Sequence, residues 1–191
     1  LIAAAWMIAL APPIVDLFRG GSFSRADAAD TEQYFAIFAI SLALWTAQGI
    51  YARAFYASRN TLTPAVAGSI ITLLSIPLYR VFFHRIGMAG LAVASDAGLL
   101  THTLTLAILL HRRKLVPITG LEGRELARAF LAACVSFVGA YACVRLLPIH
   151  RSHPGDLALI GIATVVWAAL CWAVLLITRS TLPRQLLSRR A

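Results

Sequence analysis

Five long intervals of this chain, residues 33–52, 60–79, 86–111, 129–144 and 157–178, carry among them one Asp, Glu, Lys or Arg side chain, Asp96. A helix that crosses a bilayer needs about 20 mostly apolar residues, and the interior of a bilayer tolerates almost no charge. Runs this long and this numerous exceed what one soluble core uses. Composition agrees: 60% of residues are apolar, 13% are charged and mean hydropathy is +0.79. A soluble domain averages about 45–50% and about 25% for the same two classes. Backbone groups in hydrocarbon must be satisfied within their own segment, so the expected fold class is all-α, a polytopic membrane helix bundle of about six transmembrane helices.

The net charge of +9 raises nucleic acid as a partner. The basic residues stand at the ends of apolar runs, without a single patch interleaved with aromatics, so membrane topology accounts for them and no nucleic-acid partner is expected. Cys134, Cys143 and Cys171 all lie inside apolar segments without metal-ligand spacing. They read as small hydrophobes, and no metal site or disulfide framework is expected. The chain opens at Leu1 with an apolar segment already under way, and no basic n-region or cleavage site is visible. It is therefore expected to be the C-terminal part of a longer protein.

Taken in order, segment one covers 1–18 and contains Pro12-Pro13, which should kink it; Gly20-Gly21 ends it. The polar stretch 24–32 suits capping of segment two, 31–57, whose hydrocarbon-crossing part is 34–55. Segment three, 64–83, which Thr63 can cap with Pro64 at the first helical position, and segment four, 88–110, are joined by only a few residues and must be antiparallel neighbours. Segments five and six are 125–147 and 156–177. The organisation expected is four helices in 1–115, a linker at 116–124, two further helices in 125–178, and a basic tail at 179–191.

Positive charge in short loops marks the cytoplasmic side. The turn, the linker with its flanks and the tail hold eleven: Arg53, Arg59, Arg112, Arg113, Lys114, Arg124, Arg128, Arg179, Arg184, Arg189 and Arg190. The opposite side holds six: Arg19, Arg25, Arg80, Arg85, Arg145 and Arg151. Both ends of the chain are therefore expected in the cytoplasm.

Few residues have chemistry to offer. There is no G-x-S-x-G, H-E-x-x-H, P-loop or carboxylate pair, so an enzyme is not expected. Asp96 sits well inside segment four, at an insertion cost of about 2.5–3.5 kcal/mol that something must offset. Helical spacing places Ser95, Asp96, His102 and Thr103 on one polar stripe. That stripe either lines a transport path or binds a cation or proton, or else Asp96 is solvated or paired with Arg80 or Arg85 near the interface. Gln48 and Arg53 lie toward the cytoplasmic end of segment two. Arg53 either grips a diphosphate with its planar fork or snorkels to lipid headgroups. Arg80, His84 and Arg85 gather at the other membrane face. Small residues recur at helical spacing on segment five (Ala132, Ser136, Ala140, Cys143) and segment six (Thr164, Ala168, Cys171), which permits close packing.

Three collinear stretches carry a resemblance. Arg53-Ala-Phe55-Tyr56-Ala57 followed by Asn60-Thr61-Leu62-Thr63-Pro64 resembles the RAFYA-x-x-(D/N)-T-x-T-P turn of the MurJ/MviN family of lipid II flippases, in the MATE-like (MOP) exporter superfamily. The run Leu17-Phe18 through Gly21, Phe23, Ser24 and Asp27 is similar to that family's LF-x-x-G-x-F-(S/T)-x-x-(D/S) loop. Gly87-Met-Ala-Gly90-Leu91-Ala92-Val-Ala94-Ser95 is similar to its G-x-x-G-L-A-x-A-(T/S) helix start. The resemblance implies that 1–115 belongs to the C-terminal lobe of such a transporter, a partial MOP-type fold in a bacterial cytoplasmic (inner) membrane. It implies transport of a lipid-linked oligosaccharide, the undecaprenyl-diphosphate-linked peptidoglycan precursor lipid II, among membrane lipids by alternating access, with no cofactor beyond an unidentified coupling cation or proton. At the last two helices it implies a groove for the long lipid tail as the alternative to close packing. On this resemblance the N-terminal half of the transporter is expected to be missing from this chain, which would leave its central cavity incomplete. Segment three departs from the family in having Ser75 and Tyr79 where asparagines are common. Two alternatives stay open: another lipid-linked polysaccharide as cargo, or a truncated fragment that does not transport.

Overall fold

The computed structural model describes residues 1–20, 23–115, 123–149 and 152–181. Gly21, the linker residues 116–122 and the tail residues 182–191 lie outside the described residues. Among the described residues the chain forms five helices and no strand: α1 (Ile2–Asp16), α2 (Arg25–Ala57), α3 (Leu62–Arg112), α4 (Gly123–Leu146) and α5 (His153–Ile177). The last four are long and apolar enough to cross a membrane, while α1 has 15 residues. The all-helical, polytopic expectation holds.

Helix α2 starts earlier than its apolar run does, and the reason is a reciprocal cap. The Ser24 backbone N–H donates to Asp27 Oδ2 (2.9 Å), and the Asp27 N–H donates back to Ser24 Oγ (3.2 Å). Two orphan donors of the first turn are satisfied, so the polar stretch becomes the opening turns of the helix. Helix α5 opens similarly: Ser152 Oγ accepts from the Gly155 N–H (3.3 Å), and a proline occupies the first turn, where an N–H is not needed. Pro12 and Pro13 lie inside α1, which runs unbroken to Asp16.

Segments three and four are two helices, as expected, joined without a loop and numbered together as α3. Its 51 residues are interrupted only at Ile86 (φ −136°, ψ 19°) and Gly87 (φ 63°, ψ −140°). Side chains are rarely tolerated at the backbone angles of Gly87, so glycine there lets the chain reverse within two residues. The two arms, 62–85 and 88–112, then run antiparallel in contact. A Cβ added to Gly90 would stand 2.1 Å from the Phe82 carbonyl oxygen; one on Gly98 would stand 3.1 Å from Ser75 Oγ; one on Gly68 would stand 3.1 Å from His102 Cε1. Glycines thus set the spacing of the hairpin along its whole length, as small residues do where membrane helices approach closely.

The chain divides into two compact units, Leu1–Ala39 with Glu122–Ala191 and Ile40–Leu121. In the first, α1 packs on α4 and α5 through Ala9, Leu10, Ala140, Val144, Leu159 and Ala163, all buried. Trp6 Nε1 donates to Thr164 Oγ1 (2.9 Å) across this core. The expected small-residue stripe on segment five is the buried face of α4, but Ala168 of α5 is exposed. Helix α5 instead buries Leu159, Ala163, Cys171 and Leu175, because bulkier side chains fill the space beside the alanines of α4. At its other end, Glu125 is held by Arg128 and by Ser180 Oγ (2.6 Å), which clasps the start of α4 to the end of α5.

Helices α2, α3 and α5 end in the same way. Residues Arg59, Lys114 and Arg179 adopt φ of 59°, 56° and 54°, and each is followed by an N–H that reaches five residues back: Asn60 to Phe55 O, Leu115 to Leu110 O and Ser180 to Leu175 O. This is the Schellman turn, which ordinarily takes glycine at the left-handed position. A basic side chain stands there in all three, at a backbone cost of about 1 kcal/mol each, where its charge complements the carbonyl end of the helix.

Candidate functional site

The turn between α2 and α3 can be built from its residues. The Phe55 ring is fully buried against Ala67, Leu106 and Leu110, and its carbonyl accepts from Asn60 N–H (3.0 Å) and Ser58 Oγ (2.7 Å). Asn60 Oδ1 in turn accepts from the Thr63 N–H (3.1 Å). Asn60 therefore performs the capping that Thr63 was expected to provide, since its side chain reaches forward to a donor that α3 leaves free. Pro64 falls in the first turn, two residues after the start at Leu62. Tyr56 is exposed, and so is Arg53, which no polar side chain of the described residues engages.

Gly87 and Gly90 have separate tasks in the hairpin: the first makes the reversal and the second the contact with Phe82. Phe23 is half-buried and its N–H donates to Gly20 O (3.1 Å), just ahead of the Ser24–Asp27 cap.

Beyond the turn, α2 and the second arm of α3 run parallel and are joined by polar side chains. Ser41 Oγ donates to Asp96 Oδ1. Gln48 Nε2 lies 2.7 Å from His102 Nδ1. Thr103, buried, donates to Leu99 O in its own helix (2.8 Å) and approaches Leu44 O of α2 (3.4 Å). The stripe read from the sequence therefore splits. Asp96 and Thr103 face α2, whereas Ser95 and His102 line a cavity inside the hairpin. Neither Arg80 nor Arg85 pairs with Asp96; the hydroxyl of Ser41 offsets part of the cost of the carboxylate instead.

The cavity has a volume of about 200 Å³, and Trp45, Ser75, Tyr79, Ser95 and His102 are among its walls. Because the Gln48 amide donates to His102 Nδ1, the ring proton belongs on Nε2. That nitrogen is buried and faces Gly68, on the side of the Pro64 carbonyl. A polar space of this size can hydrate it. The arrangement offers hydroxyls, an imidazole N–H and a nearby carboxylate inside otherwise apolar helices; it can bind a polar group or a proton. Among the described residues no cluster of His, Cys, Asp and Glu fit to hold a metal occurs.

Sequence reasoning missed Ser41, Trp45, Gly68 and Gly98. Ser41, Leu44 and Gln48 fall at helical spacing on one face of α2, which was the available signal for the first. A buried acid, Asp156, was read only as the start of segment six, and it lies in the first turn of α5, favoured by the helix dipole.

Comparison with known proteins gives two findings. A family model described as Lipid II flippase MurJ matches residues 1–165. The curated Lipid II flippase MurJ of Thermosipho africanus (strain TCF52B) is 29% identical over 96 residues, which cover 49% of this chain and 20% of that protein. The chain thus spans about a fifth of the length of the curated relative it matches. With long apolar helices, a glycine-built hairpin and a family match over most of its length, this chain is a multi-pass membrane protein and belongs to the MurJ lipid II flippase family.

Proposed function

We propose that the chain is part of a flippase that moves an undecaprenyl-diphosphate-linked peptidoglycan precursor across the cytoplasmic membrane by alternating access. The match of the MurJ family model to residues 1–165 carries this reading. In it, the polar headgroup crosses through a hydrated path while the prenyl tail stays in lipid, which avoids taking sugars and diphosphate through hydrocarbon. No covalent chemistry is required.

The residues fall into two roles under this reading. Ser41 with Asp96 and Gln48 with His102 fix α2 against the second arm of α3, so that the pair moves as one body. Ser95 and His102 line the polar cavity available to a coupling cation or proton, with Asp96 and Thr103 turned toward α2 beside it, and Arg53 is available to a diphosphate because no carboxylate among the described residues pairs with it. Alternating access needs a second half that moves against this one. The linker 116–124 and the tail 179–191 belong on the cytoplasmic side, with both ends of the chain.

Depletion of the resident lipid II flippase in a bacterium, with the full-length protein supplied in its place, tests the reading. Rescue is expected, and Arg53→Gln is expected to reduce it more than Arg59→Gln. Absence of rescue despite normal expression and insertion contradicts it and points to a different lipid-linked polysaccharide.

A further inference from the structure

The α3 hairpin carries a groove of about 590 Å³ whose walls are residues between Leu62 and Leu74 on one arm, Thr63 among them, and every fourth residue from Thr101 to Arg113 on the other. Thr101 and Thr105 donate their hydroxyls to the Ala97 and Thr101 carbonyls (2.8 Å each), so neither has a donor left for an occupant. The groove is hydrocarbon-like along its length and charged at one end only. Each wall spans twelve residue steps, about 18 Å of helix against the ~15 Å depth of one leaflet in a ~30 Å core. A helix has a diameter of about 10 Å, whereas one extended hydrocarbon chain is far thinner and suits a narrow slot of this length.

The charged end is built with some care. The Arg113 guanidinium lies 6.0 Å from the centroid of the Phe55 ring, and Phe55 is fully buried, which gives the cation a fixed support. Lys114 follows in the left-handed conformation, and Arg112 precedes. Among the described residues no carboxylate pairs with any of the three.

We propose that this groove holds one acyl chain of an anionic glycerophospholipid from the leaflet on the Arg113 side, with its phosphate and headgroup on Arg113 and Lys114. Uncompensated cations at the mouth of an apolar slot select for a negative headgroup attached to a chain. The inference is independent of the cargo, because the groove shares only Ile71 with the lining of the polar cavity and none of that cavity's polar side chains.

Native mass spectrometry of the purified chain, titrated after delipidation with phosphatidylglycerol or phosphatidylcholine of identical acyl chains, tests it. Phosphatidylglycerol should bind roughly tenfold more tightly, the worth of one charge-assisted hydrogen bond. Arg113→Gln should abolish that preference, Arg113→Lys should keep most of it, and Val66→Trp, which fills the slot, should weaken both lipids. Inorganic phosphate should not displace the bound lipid. Should Val66→Trp fail to fold, Arg113→Gln and Arg113→Lys, both on an exposed residue, still decide the matter. Equal binding of the two lipids, a preference that survives Arg113→Gln, or full displacement by inorganic phosphate would overturn the proposal. So would a Val66→Cys probe that cross-links to a protein in place of lipid.

Discussion

The two compact units solve the same problem by different means. The unit of α1, α4 and α5 is held by alanine against leucine and tryptophan, with one cross-helix hydrogen bond at its centre, Trp6 to Thr164. The unit of Ile40–Leu121 is held by glycine contacts in the hairpin and by Ser41·Asp96 and Gln48·His102 between helices. Apolar packing between membrane helices gains little from the hydrophobic effect, since lipid is as apolar as leucine, so close approach and polar pairs set the geometry. The first unit can tolerate loose changes in side-chain shape. The second cannot, because its polar groups must meet partners across a distance that glycine defines.

Equivalent substitutions should therefore have unequal effects. Gly90→Ala drives a methyl onto the Phe82 backbone carbonyl, which cannot swing aside, and should destabilise by about 3 kcal/mol. Gly139→Ala in α4 meets only the end of the Leu170 side chain, which can rotate, and regains up to about 1 kcal/mol of helix propensity. Reversible unfolding in mixed micelles measures both; equal losses would erase the distinction between the units.

The next effect is smaller. Ser41→Ala leaves the Asp96 carboxylate without its hydroxyl donor and should cost about 1–2 kcal/mol, with a coupling of at least ~0.6 kcal/mol to Asp96→Ala in a double-mutant cycle. Trp6→Phe, the matching change in the first unit, should cost only about 0.6 kcal/mol in the same assay. The smallest effect has the opposite sign. Lys114→Gly and Arg59→Gly should each stabilise by at most ~1 kcal/mol, because glycine relieves the left-handed backbone, unless charge at the helix end is worth more.

Much of this was legible in advance. Nearly charge-free intervals located the apolar segments, and the short connection between segments three and four required the reversal that the structure realises at Ile86 and Gly87. The cap of α3 was misplaced from Asn60 to Thr63 because both residue types cap and only backbone geometry chooses between them. The pairing of Ser41 with Asp96 was out of reach for a different reason. Helical spacing shows which residues share a face, but the neighbour that face meets depends on packing between segments 55 positions apart. The short contacts at Gly68 and Gly98 were hidden likewise, since a glycine in an apolar run does not announce what it approaches.

Everything turns on α3 being a hairpin that crosses twice. Ser75 Cβ lies 3.8 Å from where a Cβ on Gly98 would stand, the mean separation in disulfides, about 3.8 Å. A chain with its native cysteines replaced by alanine and carrying Ser75→Cys and Gly98→Cys should form that disulfide in membranes on mild oxidation. An uninterrupted helix would hold the two residues about 35 Å apart, and a chain that inserts yet never cross-links would contradict the account.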